Sequence, residues 1–330
     1  MRDLIASLVV LLSVSGACAE PVTLRLGAPA PARAHLNLQV FGPWAEKVTQ
    51  ASEGTLKIEF IPGGVLGTEG QLLERVRSGV VDIAYDLPGY YPGRFVKTDV
   101  VALPFLYETS EQASRALWKL YEKGRISDEY EQVKTLGIVS VPNAIFMSTT
   151  PVETMEDFKG KKIQASTKLR TNIALTLGAV PVSVPVTDLY QSLSKGVIVV
   201  GMQQWTAVQP FRLGEVATNF LEVPLGGSPM MFFMSKEKFD KLPPAAQKAI
   251  QDHSGEKFVR EFSQFWDKVN REGRASIAAM PNRTIRTPGK EELEIWKKFL
   301  APVQETWLRD TPNGADLLKA YNDELANAGK

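Results

Sequence analysis

The stretch LKIEFIPGGVLGTEGQLLERVRSGVVDIAYD, residues 56–86, decides the fold. Leu56–Ile61 alternates Lys57 and Glu59 with apolar neighbours, the pattern of a half-exposed strand. Pro62-Gly63-Gly64 makes a turn. Thr68 stands three residues before Gln71, a capping-box spacing that opens a helix with Leu72, Leu73 and Val76 on one face. Gly79 stops the helix, and Val80–Ala84 reads as a buried strand. A matching stretch starts at Lys161. Lys161–Ala165 is a short strand, Ser166 or Thr167 caps a helix through Leu169, Ile173 and Leu177, and Gly178 ends it. After Val180–Val184, a helix opens at Thr187-Asp188 and stops at Gly196, and Val197–Val200 repeats the buried strand. Strands alternating with helices predict an α/β fold with mainly parallel sheets flanked by helices, and two copies predict two lobes. Ligands of such sheets lie beyond the carboxyl ends of the strands, so the loops after Ile61, Ala84, Gln164 and Val200 line one cleft if the lobes face each other.

The rest of the chain fits two lobes. At 330 residues it exceeds what one core usually serves. Leu4–Val14 is an apolar run after Arg2, followed by Ala17-Cys18-Ala19, the pattern of a cleaved leader over residues 1–19. Ser15-Gly16-Ala17-Cys18 also partly resembles a lipobox, but Leu is missing three residues before the cysteine. Cleavage removes the only cysteine, so the mature chain relies on a packed core in an oxidising compartment. Residues 20–146 with about 230–270 form the expected first lobe, and 147–229 with about 271–330 the second, joined by crossing strands and a long helix. Ala245–Ala279 supplies that helix, continuous or interrupted, with Phe258, Phe262 and Phe265 or Trp266 as a core stripe, and Glu291–Trp307 a further one.

Charge and composition exclude several classes. With 38 Lys and Arg against 37 Asp and Glu, the chain lacks the basic excess of a nucleic-acid protein. Two histidines and one cysteine are too few for a zinc site, so no metal and no cofactor is expected. There is no G-x-S-x-G elbow and no H-E-x-x-H, and His253 has no evident nucleophile beside it, so no catalytic residue is assigned.

The order of the motifs resembles the periplasmic solute-binding component of tripartite ATP-independent periplasmic (TRAP) transporters, the DctP-like family. FGPWAEKV at 41–48, GVLGTE at 64–69, LPGYYPGRF at 87–95, EDFKGKKI at 156–163, LGAVPV at 177–182 and FFMSKEKF at 232–239 carry it. The resemblance implies a two-lobed clamshell, monomeric, that closes on a small organic acid in the periplasm. It also implies delivery to a permease of one small and one large membrane subunit. The alternative is a clamshell serving an ABC importer or a sensor.

Family members typically read a carboxylate with arginine in a K-I-R strand, and Gln164 stands there here. Glutamine replaces a bidentate, charge-assisted clamp with one neutral amide, so either another cation serves or the ligand is neutral and polar. Arg170 and Lys168 are nearest, though surface placement is the norm for arginine. The strand after Gly196 also departs from the family pattern, with Val199-Val200 where Asp-Gly is common. The remaining candidate ligand contacts are Gln203, Gln204 and Trp205 in the second lobe and Tyr85, Asp86, Tyr90 and His35 in the first. Phe146 and Phe232 (or Phe233) at the two crossings are candidates for the cleft floor. Trp205 would stack on a ring, which favours an aromatic or partly apolar acid. Glu69 is expected to sit at a helix start for ordinary electrostatic reasons.

Overall fold

The computed structural model describes residues 20–328, so the leader and Cys18 lie outside the described residues. Among those described, no helix is long and apolar enough to cross a membrane. The strands are β1 (Val22–Gly27), β2 (Leu56–Ile61), β3 (Ile83–Asp86), β4 (Lys134–Ser140), β5 (Ile145–Ser148), β6 (Lys162–Gln164), β7 (Val180–Val182), β8 (Val200–Gln203), β9 (Asn219–Leu221), β10 (Pro229–Met234) and β11 (Thr284–Arg286). One sheet runs β2-β1-β3-β10-β4, the other β11-β9-β5-β8-β6-β7. Within each, the local strands are parallel (β1 with β2 and β3; β6 with β7 and β8), and an antiparallel strand arrives from the crossings.

The first helices are α1 (Gly42–Ala51), α2 (Leu72–Arg77), α3 (Ser110–Glu122), α4 (Lys168–Thr176) and α5 (Leu189–Ser194). After them come α6 (Lys236–Asp240), α7 (Pro244–Asp252), α8 (Gly255–Ala278), α9 (Lys290–Phe299), α10 (Ala301–Asp310) and α11 (Gly314–Ala328). The long or interrupted helix expected over 245–279 is interrupted at His253–Ser254, and the single helix expected over 291–307 is divided at Leu300.

The internal repeat is structural. α2 and α5 each end two residues before a glycine of positive φ, Gly79 (74°) and Gly196 (67°), and each following strand begins four residues after it. Both strands start later than expected, for one reason. Val80 and Val81 still donate to Arg75 O at 3.0 and 3.2 Å, and Val197 and Ile198 to Ser192 O at 2.9 and 3.3 Å. Those amides close the helix end through its left-handed glycine before any strand pairing is possible. The Thr68–Gln71 box is half made: Thr68 N donates to Gln71 Oε1, but α2 starts only at Leu72.

β4 leads into β5 and β9 into β10, so the chain crosses between sheets twice. The crossings bind each other: Val141 N donates to Ser228 O, Ala144 N to Gly226 O and Leu225 N to Ala144 O, each at 3.0 Å. Gly227 is required there, since a Cβ would lie 2.0 Å from Val141 O and 2.3 Å from Tyr107 Oη. α8 is the third connection. Asp267 accepts from Ser110 N and Glu111 N at the start of α3 in the first lobe. Gly273 lies so close to Trp205 O in the second lobe that a Cβ would approach it to 2.3 Å. The last helix departs from the expected division. α11 returns to the first lobe, with Tyr321 Oη donating to Ala113 O and Arg115 to Ala328 O, because its apolar face is buried against α3.

Candidate functional site

A cavity of about 110 Å³ lies between the lobes, comparable with the roughly 150 Å³ cavity that accepts one benzene molecule. Its walls are mostly apolar: Pro29, Ala30, Leu36 and Leu87 from the first lobe, Val186, Met202, Ala207 and Phe211 from the second, and Val141 and Met230 at the crossings. The lobes touch around it. Arg33 Nη2 donates to Pro210 O at 3.0 Å, and a Cβ on Gly89 would meet the Thr167 methyl at 2.9 Å.

Arg170 is the principal polar group. Thr167 caps α4 by accepting from Arg170 N at 3.3 Å, which starts the helix so that Arg170 shares the inward side with Ile173 and Ala174. The guanidinium lines the cavity and is 8% exposed. It donates to Leu225 O at 2.6 Å and Gly226 O at 2.7 Å. Of five donors that leaves about three, and among the described residues no carboxylate is within ion-pair distance. Burial lowers its pKa to about 10. The expectation of a solvated surface arginine is therefore corrected. Lys168, the other candidate cation, is exposed and pairs with Asp310 at 2.8 Å.

Gln164 also lines the cavity, but its amide is committed to the protein. Nε2 donates to Val184 O at 2.9 Å, while Oε1 accepts from Met202 N at 3.2 Å and Gln203 Nε2 at 3.0 Å. It ties β6 to β8 and orients Gln203 beside the cavity, with Gln204 next to it. Tyr85 lines the opposite wall, stacked on Phe41 at 4.2 Å, with its hydroxyl donating to Asn37 Oδ1 at 3.2 Å. Tyr90 reaches toward Ser166 and Val186 of the second lobe, and burial raises its phenol to about 12. His35 lines the rim, its ring held between Gln39 and Gln209.

Four expected contacts lie elsewhere. Trp205 is in the second lobe's core, stacked on Phe220 at 5.1 Å, with Nε1 donating to Glu222 Oε1 at 3.1 Å. Phe146 packs on Phe158 at 4.4 Å and under Trp296. Phe232 packs among Phe41, Trp44 and Phe258. Each ring is taken up by neighbouring rings before any face can reach the cleft. Asp86 points away into its own loop, accepting from Gly70 N, Leu72 N, Leu87 N and the Tyr91 hydroxyl. Burial raises its carboxyl to about 6 against those donors.

Other cavity residues were not expected from the sequence. Trp266, 4% exposed on α8, lines the cavity, and among the described residues neither its buried indole N–H nor the buried hydroxyl of Thr206, another lining residue, has a hydrogen-bond partner. A tryptophan in a core stripe retains a polar edge, and that edge was the available signal. Glu69 enters the cavity from the loop before α2.

The family described as bacterial extracellular solute-binding protein, family 7, matches residues 28–310, and the chain belongs to it. A marine metagenome TRAP solute-binding protein specific for aromatic acid ligands, solved with metahydroxyphenylacetate, is 28% identical. The match covers 94% of this chain and 100% of that one, with a TM-score of 0.89. A TRAP solute-binding protein from Rhodoferax ferrireducens T118, solved with copurified benzoate, is 27% identical over 93% of this chain and 98% of that one, with a TM-score of 0.88. The outer membrane transporter protein TsaT of Comamonas testosteroni is 26% identical, covering 93% of each chain. Family and fold together make this chain a TRAP solute-binding protein with the two-lobed clamshell architecture.

Proposed function

We propose that this protein captures a small organic acid with an aromatic or otherwise apolar body in the periplasm, after removal of its leader, and passes it to the paired membrane subunits of a TRAP permease. The observation that carries this reading is Arg170: a buried cation with spare donors, no anionic partner among the described residues and an apolar cavity in front of it. A charged group taken out of water calls for a charge or strong acceptors in return, and a ligand carboxylate supplies both. Gln164 does not favour a neutral ligand, because its amide is already bonded within the protein. The relatives solved with aromatic acids support the apolar body. Calorimetric titration of aromatic monocarboxylates beside their carboxamides tests the reading. The acids should bind at least about tenfold more tightly than the amides, since a charged hydrogen bond is worth about 1.5–3 kcal/mol. Equal binding of acid and amide would refute it.

A further inference from the structure

We infer that the solute carries a hydrogen-bond donor at the end away from its carboxylate, and that Glu69 receives it. This rests on the acid reading above and narrows it to hydroxy- or amino-substituted acids.

The cavity has chemically different walls. Arg170, on the second-lobe side, offers its spare guanidinium donors, with Trp266 and Thr206 also lining the space. A planar guanidinium suits a carboxylate, which accepts at both oxygens. Arg170 is placed there by the crossing carbonyls of Leu225 and Gly226 and by Tyr107 near them. On the first-lobe side, Glu69 is held in a loop between two glycines of positive φ, Gly67 and Gly70. Gly70 N donates to Asp86 Oδ1 at 3.0 Å, and a Cβ on Gly70 would meet Tyr90 Cβ at 3.1 Å, so Glu69 is fixed beside Tyr90.

Among the described residues, the Glu69 carboxyl accepts a hydrogen bond from its own backbone but has no ion pair and no side-chain partner. The charged groups that face it are Asp86 of its own lobe and Asp188 across the cleft, both acids. Burial raises its pKa, the bond from its own backbone lowers it, and the two acids add to the rise. An ionised carboxylate only accepts and has room for about four bonds, so beside the one from its backbone it can take a donor such as a hydroxyl or an ammonium.

The test compares benzoate with meta- and para-hydroxybenzoate, their methyl ethers and meta- and para-aminobenzoate. Each is titrated calorimetrically into the wild-type protein and into Glu69→Leu. In the wild type, at least one hydroxy or amino acid should bind about tenfold or more tightly than benzoate, and its methyl ether, which cannot donate, should lose that advantage. Glu69→Leu should erase the advantage, so that the hydroxy or amino acid and its methyl ether bind that variant alike. The inference is overturned if the ether binds as well as the hydroxy acid, if the advantage survives in the variant, or if no substituted acid exceeds benzoate. In that last case benzoate binding leaves the acid reading standing. If no acid binds at all, both fall. Should Glu69→Leu not fold, the ether comparison in the wild type decides alone.

Discussion

β3 and β8 are the same structural phrase written in two lobes, and they end differently. In both, a six-residue helix closes through a left-handed glycine and a strand follows four residues on. Tyr85 and Met202 hold the same place and both face the cavity. At the next position the lobes part. Asp86 turns into its own loop and accepts from three backbone amides and Tyr91, whereas Gln203 faces the cleft. The first lobe uses its strand-end charge to hold the loop that presents Glu69. The second keeps its amides and cation at the cleft wall. The repeat sets where the cleft lies, and each lobe chooses its chemistry separately.

The sharpest way to break this contrast is Arg170→Met, which keeps the apolar stem and removes the second lobe's charge. Acid affinity should fall by about 3–5 kcal/mol, roughly a thousandfold, because the ligand carboxylate is left buried and unpaired. Arg170→Lys should recover part of that loss, lacking only the fork. Calorimetry reads both, and a fall of less than about threefold for Met would move the anchor elsewhere.

Behind the cleft, Asp99 of the first lobe faces Lys168 and Asn172 of the second. Burial, then Glu129, raises its pKa to about 7, with Lys168 pulling the other way. Unfolded, the group titrates near about 3.9, so the folded state binds the extra proton in between. Its contribution is full below about pH 4 and is lost as pH climbs toward about 7, an effect on the order of 2–4 kcal/mol. Asp99→Asn should therefore melt higher than the wild type near about pH 8 and alike near about pH 4. Parallel melting curves across that range would count against it.

Gln164→Arg puts into β6 the residue that the family resemblance leads one to expect there. Arginine cannot accept from Met202 N or the Gln203 amide. The expected result is a stability loss of about 1–3 kcal/mol by denaturant titration with no gain for acids. Tighter acid binding would mean that the strand end still reads carboxylates. The smallest effect on binding is expected from Trp205→Phe, which keeps a ring against Phe220 but loses the bond to the Glu222 carboxylate and part of the indole's volume, about 1.5–3 kcal/mol of stability. Affinity should stay within about twofold; a larger fall would return the ring to the site.

The misplaced site residues share a cause. Trp205, Phe146 and Phe232 sit in aromatic-rich stretches at strand ends and crossings, and sequence position alone does not say which face of a strand meets the cleft. A shift of one residue inverts that choice, and the helix-end hydrogen bonds of Val80–Val81 and Val197–Ile198 displaced both strands by several. Arg170 was within reach of helical spacing, three residues before buried Ile173, but a lone arginine on a short helix is usually solvated. Trp266 was readable as core and is core, apart from its N–H edge.

Sequence by itself determined the repeat, the two α/β lobes and the crossing segments, because periodicity, glycine placement and residue identity are local properties. Only the tertiary structure decided where Arg170 lies. Among the described residues a cation is left without a carboxylate partner when the fold keeps the acids away from it, and that depends on how the second lobe packs against the crossings. The same holds for Glu69 and Trp266, which reach the cavity wall only when the lobes come together.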